Sequence, residues 1–193
     1  MISTVTAHMK HSLLCFLQVM ALTLAPLAWS ADKDAAEPFT LTVVPSHSSV
    51  RGRSITFGGG KPVEELYVVL TNSSKDTQAV FQYHNSWGYQ NVSFEFTMPD
   101  GRKVVASKRI QCFTVNFPGT FLVPPGEHRV YAIRLDHEWE TKPALGGEPE
   151  KPITLKAIYE VTVTPQATEH KVWTGRVESK PYNFTLRHRA TPK

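Results

Sequence analysis

The chain has 193 residues, of which 41% are hydrophobic and 20% are charged, and its formal net charge is +4. This length predicts a single domain that is large enough to bury a substantial hydrophobic core. The positive charge is small and dispersed along the sequence, which argues against nucleic acid as a partner.

The first predicted element is a cleavable signal peptide over residues 1–30. Lys10 precedes an uncharged apolar stretch from residue 12 to residue 29, and the small residues Ala28 and Ser30 have the spacing of a cleavage site. Cleavage after Ser30 predicts a protein that is secreted or periplasmic, with no stable membrane span after processing. An uncleaved membrane anchor is the alternative, since the stretch is close to the length that a bilayer requires.

Two short segments flank the predicted domain. Residues 31–38 are charged, rich in alanine and end in Pro38, which predicts a flexible leader. Residues 189–193 are predicted to form a tail. The sequence leaves open whether translation begins at Met1 or at Met9.

Residues 39–188 carry the pattern of an all-β domain. Apolar and polar side chains alternate with a period of two over short segments, and residues that favour turns separate these segments. The segments are FTLTVVP (39–45), SITF (54–57), EELYVVLTN (64–72), QAVFQYH (78–84), VSFEFTMPDGRKVV (92–105), FLVPPGEHRVYAIRL (121–135), ITLKAIYEVTVT (153–164), HKVWTGRV (170–177) and YNFTLRH (182–188). This spacing predicts an immunoglobulin-like β-sandwich of about eight or nine antiparallel strands, without a long amphipathic helix.

The parity of the apolar residues changes between the last two of these segments. The residues on the first parity are Trp173, Gly175 and Val177, and those on the second are Tyr182, Phe184 and Leu186. Because Pro181 has no backbone N–H to donate, we interpret the change as a corner or an edge bulge, with both sets facing the core. The alternative is an exposed aromatic platform that binds a glycan through Trp173 and Tyr182.

Cysteine usage excludes an intramolecular disulfide in the processed chain. Cys15 lies in the predicted signal peptide, so Cys112 is the only cysteine that remains after cleavage. Cys112 alternates in phase with Ile110 and Thr114, which predicts a small buried apolar residue. A reactive thiol or an intermolecular bridge is the alternative.

The sequence contains no convincing catalytic constellation. His84 and Ser86 share a parity, but residues two apart on a strand seldom form a nucleophile–base pair without a third orienting group. Acidic and histidine residues are concentrated between residues 127 and 140, yet their spacing lacks the compact ligand pairs of a metal site. We therefore predict that the protein is not an enzyme, and we assign it no cofactor.

One segment has the composition of a recognition loop. In YHNSWGYQN, residues 83–91, aromatic side chains are joined by glycine and by residues with amide side chains. The residues predicted to bind a ligand are Tyr83, His84, Trp87 and Tyr89. The alternative is that these aromatic residues pack in the core or within the loop.

Two resemblances point to an immunoglobulin-like domain. The strand and turn LTNSSKDTQAVFQ resemble the first hairpin-like step of many extracytoplasmic immunoglobulin-like domains. The order of VSFEFTMPDGRKVV and FLVPPGEHRVYAIRL, with its two glycine turns, resembles the bacterial intracellular proteinase inhibitor family over residues 64–135. This second resemblance implies a loop-presenting inhibitor, but no reactive-site motif can be assigned to particular residues.

Together these patterns predict an exported, non-catalytic binding or structural module. Its expected partner is a protein or a component of the cell envelope. A secreted proteinase inhibitor and a carbohydrate-binding module are the alternatives. Asn72, Asn91 and Asn183 each begin an Asn-x-Ser/Thr sequon, which matters only in a host that glycosylates exported proteins.

Overall fold

Strands make up nearly all of the regular structure in the described part of this chain. The computed structural model describes residues 37–46, 54–58, 65–114, 116–145 and 150–188. Its elements, in chain order, are β1 (Phe39–Pro45), β2 (Ser54–Phe57), β3 (Leu66–Asn72), β4 (Gln78–Phe81), β5 (Val92–Thr97), β6 (Lys103–Lys108), β7 (Thr120–Val123), β8 (His128–Ile133), β9 (Trp139–Lys142), β10 (Glu150–Val161), α1 (Pro165–Glu169), β11 (Gly175–Glu178) and β12 (Tyr182–His188). The all-β class predicted from the sequence is confirmed.

The strands form three sheets. The largest has seven strands in the order β2-β12-β10-β5-β6-β9, with β11 beside β10. A second sheet has the order β1-β3-β8, and β4 pairs with β7 in a third. Pairing is antiparallel between these described strands except for β2 and β12, which run parallel.

The buried faces of these sheets meet in one hydrophobic core. In β3, Leu66, Val68 and Leu70 are completely buried, while the residues between them are only partly covered. In β5, Phe94 and Phe96 alternate with partly exposed residues in the same way. Residues two apart on a strand face the same side of the sheet, so each alternating segment delivers its apolar residues to this core. Burial of each such side chain contributes about 1.5–3 kcal/mol.

The predicted number and direction of the strands are wrong in detail. The described residues contain twelve strands instead of eight or nine, and five of them have only four residues. Two apolar positions in a four-residue strand are too few for an alternating pattern to stand out. The parallel pairing of β2 with β12 was also missed, because a period of two does not encode strand direction.

The change of parity near the C-terminus is a β-bulge. Both β11 and β12 pair antiparallel with β10: Glu178 lies opposite Ile158, and Tyr182 lies opposite Leu155. The segment from β11 to β12 therefore contains one residue more than β10 over this interval. The extra residue shifts the side-chain parity. Tyr182 does not face the core as predicted, since it is the first residue after the bulge and 38% of it is exposed.

A buried asparagine joins two interrupted strand pairs. Along the chain β3 is followed by β4 and β7 is followed by β8, and the four strands pair as β3–β8 and β4–β7. Asn72 lies where the pairing is interrupted between these two pairs. Its side-chain Nδ2 donates to Asp76 O at 2.7 Å and to Val123 O at 2.8 Å. Its Oδ1 accepts from the backbone N and the hydroxyl of Ser74 at 2.9 and 2.7 Å. Asn72 is completely buried, and its side chain uses its full hydrogen-bonding capacity.

The described residues belong to one compact unit. The predicted signal peptide, residues 31–36 of the predicted leader and the predicted tail lie outside the described residues. Within the described part of the chain, no helix has the length and apolar character that crossing a bilayer requires. The only helix there is α1, which begins after the N-cap residue Thr164 and contains five residues.

Candidate functional site

Asn85 organises the loop that carries the four residues predicted to bind a ligand. It is 5% exposed, and its Oδ1 accepts hydrogen bonds from the backbone N of Trp87 and of Gly88 at 3.1 and 3.0 Å. The backbone N of Tyr89 donates to Asn85 O at 2.9 Å. A side chain that bonds backbone groups two and three residues ahead stabilises a tight turn. This turn determines where Tyr83 and Tyr89 project.

A cavity of about 280 Å³ lies beside this loop, between the end of β8 and the strands β6 and β9. We call it the tyrosine cleft and define it by the residues that the argument uses, which are Tyr83, Tyr89, Lys108, Tyr131, Glu138 and Trp139. Arg134 and Asp136 also line it. Tyr83 is 39% exposed, whereas Tyr89 and Trp139 are buried, so the cleft is open on one side and closed by aromatic rings on the other.

The four predicted ligand-binding residues do not form one group. Tyr83 and Tyr89 line the tyrosine cleft. The exposed ring of His84 lies 4.0 Å from the ring of Tyr83, between centroids, and does not line the cleft. Trp87 packs against Phe81 and the core and lines a different cavity. The predicted set therefore divides because the loop turns at Asn85 and sends neighbouring side chains in different directions.

A lysine ammonium lies at the centre of the tyrosine cleft. Lys108 Nζ is 4.3 Å from the ring centroid of Tyr89 and 5.9 Å from those of Tyr83 and Trp139. It donates to Glu138 Oε2 at 2.8 Å, and the Tyr89 hydroxyl donates to the same oxygen at 3.3 Å. The hydrogen bond from Lys108 lowers the pKa of Glu138, and burial together with the Glu138 charge raises the pKa of Tyr89. Near neutral pH Glu138 is therefore a carboxylate and Tyr89 is a neutral phenol.

Sequence reasoning missed four residues of the tyrosine cleft. Lys108 has no assignment from the sequence, Tyr131 is assigned only to a predicted strand, and the segment that contains Glu138 and Trp139 is considered only for metal ligands. The antiparallel pairing of β6 with β9 places Lys108 opposite Trp139 and so brings it beside Glu138. That pairing joins residues about thirty positions apart, which no local pattern specifies. The density of aromatic and charged residues after residue 130 was the available signal.

The other candidates for chemistry are placed differently. The hydroxyl of Ser86 accepts a hydrogen bond from Asn116 Nδ2 at 2.8 Å, on an exposed part of the loop. In the described ranges, no group of three His, Cys, Asp or Glu residues is arranged to hold a metal ion. The prediction that Cys112 is buried is wrong: the thiol is exposed, as is Ile110. Both residues lie between β6 and β7 and outside any strand, so their alternation does not correspond to the two faces of a sheet.

Two neighbouring tyrosines, Tyr131 in the wall of the cleft and the buried Tyr159, predict alkaline sensitivity. The ring centroids of Tyr131 and Tyr159 lie 5.9 Å apart, and burial raises the pKa of Tyr159 to about 12 and raises that of Tyr131 well above its ordinary value of 10.0. Because unfolded tyrosine ionises near pH 10, the contribution of Tyr159 to stability is complete below pH 10 and is lost as the pH rises towards 12. Between pH 9 and pH 11.5, we expect the free energy of unfolding of Tyr159→Phe to fall by about 2 kcal/mol less than that of the wild type. Urea unfolding at both pH values measures this difference, and equal losses would contradict it.

No protein-family model, curated protein or solved structure matches this chain. The resemblances to extracytoplasmic immunoglobulin-like domains and to the bacterial intracellular proteinase inhibitor family therefore stay predictions. The tyrosine cleft is the feature from which a function can be inferred.

Proposed function

We propose that this protein is an exported, non-catalytic binding module, and that its tyrosine cleft binds an extended segment of a protein partner in the cell envelope or outside the cell. The observation that carries this proposal is the composition of the cleft, where four aromatic residues and an ion pair line a cavity that is open on one side. Tyrosine, tryptophan and arginine are the residues that dominate the binding energy of protein interfaces. Tyrosine and tryptophan combine a large contact area with few side-chain torsions that must be ordered.

The edge strand beside the cleft supports an extended ligand. β8 is an outer strand in the order β1-β3-β8, and four consecutive residues, Tyr131 to Arg134, line the cleft at its end. Side chains of consecutive strand residues point to opposite faces, so a lining of four neighbours indicates that backbone is part of the wall. A strand edge offers N–H and C=O groups that an extended peptide can pair with. Side chains of that peptide would then enter the cleft.

An immunoglobulin-like sandwich is the fold that we propose for this module. The three-stranded and seven-stranded sheets share one core, as the two layers of a sandwich do. The paired strands that continue past Asn72 resemble strands that cross from one layer to the other at a corner. Such a scaffold presents loops at its ends, which is where the loop organised by Asn85 would place Tyr83.

We expect Tyr83→Ala to weaken peptide binding by at least tenfold, because truncation of a central aromatic anchor in an interface costs about 1.4 kcal/mol or more. The measurement selects peptides on the wild-type protein from a displayed random library and compares their dissociation constants for the variants. Tyr182→Ala is the matched control, since Tyr182 is exposed to nearly the same extent, 38% against 39%, but does not line the cleft.

Equal binding by wild type and Tyr83→Ala would contradict the proposal, provided that thermal melting shows both to be folded. Failure to select any peptide, together with binding on a glycan array, would favour the carbohydrate-binding module. Inhibition of a protease by the wild type, without loss in Tyr83→Ala, would favour the proteinase inhibitor.

A further inference from the structure

We propose that the tyrosine cleft is a recognition site for an ammonium group, that Lys108 occupies this site in the free protein, and that a lysine side chain of the partner takes its place on binding. This inference rests on the proposed function and adds the chemical class of the group that is recognised. Lys108 then competes with the lysine of the partner for this site.

The contacts of Lys108 define the chemistry of the site. Its ammonium lies within 6 Å of the ring centroids of Tyr83, Tyr89 and Trp139, at the distances at which the negative face of a ring attracts a cation. Glu138 supplies a full negative charge at 2.8 Å. Several aromatic rings with one carboxylate form the combination by which proteins recognise ammonium groups. A neutral or anionic ligand group would gain neither of these attractions.

The surroundings of this ion pair allow exchange. The side chain of Lys108 is 15% exposed and that of Glu138 is 34% exposed, so neither is fully enclosed, and a cavity of about 280 Å³ adjoins the pair. Lys108 is the last residue of β6, so its side chain begins where the strand ends. Its stem has four rotatable carbons, and a swing into solvent would leave the position over Tyr89 open.

Exchange of one ammonium for another keeps the polar groups of the cleft satisfied. Glu138 Oε2 accepts from both Lys108 and Tyr89, and removal of the ammonium without replacement would leave a partly buried charge with less compensation. A ligand ammonium that enters as Lys108 leaves restores that compensation. The ligand must, however, compete with a lysine that is tethered beside the site. Lys108 therefore lowers the apparent affinity of the wild type.

The test uses two small probes that differ in one charged group: N-acetyl-lysine amide, and N-acetyl-norleucine amide as its uncharged counterpart. Binding is followed through the indole N–H resonance of Trp139 in NMR titrations. We expect Lys108→Met to bind the lysine probe at least tenfold more tightly than the wild type and to bind the norleucine probe much more weakly. Adding Glu138→Gln to Lys108→Met is expected to abolish the gain.

Lys103→Met is the matched control. Lys103 is also in β6 and also pairs with a carboxylate, Glu95 at 3.0 Å, but neither residue lines the cleft. This variant should bind the lysine probe as the wild type does. The inference is overturned if Lys108→Met binds the lysine probe no more tightly than the wild type, or if it binds both probes equally well. Thermal melting verifies that each variant is folded.

The outcomes separate this inference from the proposed function. If selected peptides need Tyr83 for binding but contain no lysine, and Lys108→Met gains no affinity for the lysine probe, the binding function stands and the ammonium site is wrong. If no peptide is selected while Lys108→Met binds the lysine probe and Glu138→Gln reverses this, the ammonium site stands and a peptide ligand is wrong.

Discussion

Asn72→Ala is expected to lower the free energy of unfolding by about 3 kcal/mol or more, because it removes four hydrogen bonds at a buried site and leaves the buried carbonyl of Val123 without this donor. In the folded protein the side-chain Nδ2 bonds the carbonyls of Asp76 and Val123, and Oδ1 accepts two hydrogen bonds from Ser74. Alanine can make none of these bonds. The loss occurs where the strand pairs β3–β8 and β4–β7 are both interrupted, so both pairs should be weakened together.

Urea unfolding followed by circular dichroism measures this change. Asn183→Ala is the matched control, since Asn183 is exposed and its side chain accepts one hydrogen bond, from Thr154. We expect the control to change stability by less than about 1 kcal/mol. A loss at Asn72 no larger than that at Asn183 would show that this buried network contributes little.

Gly88→Ala is expected to destabilise the protein by about 2 kcal/mol or more and to disrupt the tyrosine cleft. A Cβ atom added at Gly88 would lie 2.2 Å from the backbone oxygen of Gln82, which is far inside van der Waals contact. Backbone cannot move aside as a side chain can, so the turn has to open. Because Asn85 bonds the backbone of Gly88 and Tyr89, opening the turn displaces the Tyr89 ring from Lys108.

Gly119→Ala provides the matched comparison for this substitution. Its added Cβ would also approach Gln82 closely, at 2.7 Å, but the atom it meets is the end of the side chain, Oε1. That side chain can rotate away at small cost, so the stability of Gly119→Ala should stay within about 1 kcal/mol of the wild type. Unfolding curves and peptide binding are measured for both variants. If the two alanines have equal effects, the close approach of backbone at Gly88 is not what determines the turn.

Local alternation predicted the parts of the fold in which one strand face is buried along its whole length. In β1, Phe39, Leu41 and Val43 are buried and the threonines between them are exposed, as their spacing predicts. The same reasoning failed at β9, where four residues that begin with Trp139 lie among charged side chains. It also failed at Cys112, since alternation has no structural meaning in a segment that does not join a sheet.

Only two of the six residues that define the tyrosine cleft could be predicted from local sequence. Tyr83 and Tyr89 lie in one loop with aromatic and amide-rich composition, so a search for recognition loops finds them. The ion pair of Lys108 with Glu138 depends on which strand β6 chooses as its neighbour, and this choice follows from the packing of the whole sheet. Strand order is a long-range property that hydrophobic periodicity leaves open. The other four residues of the tyrosine cleft could therefore be identified only from the fold.

The burial of Asn72 affects the choice of a host in which to produce this protein. Asn72 begins the sequon Asn72-Ser73-Ser74, and a glycan attached to its Nδ2 would replace one of the two N–H donors that the native corner uses and would have no space in the core. In a eukaryotic secretory pathway, sugar transfer to the nascent chain at this position would compete with folding and trap the modified molecules in a non-native state. Bacterial export, or Ser74→Ala in a eukaryotic host, avoids that competition.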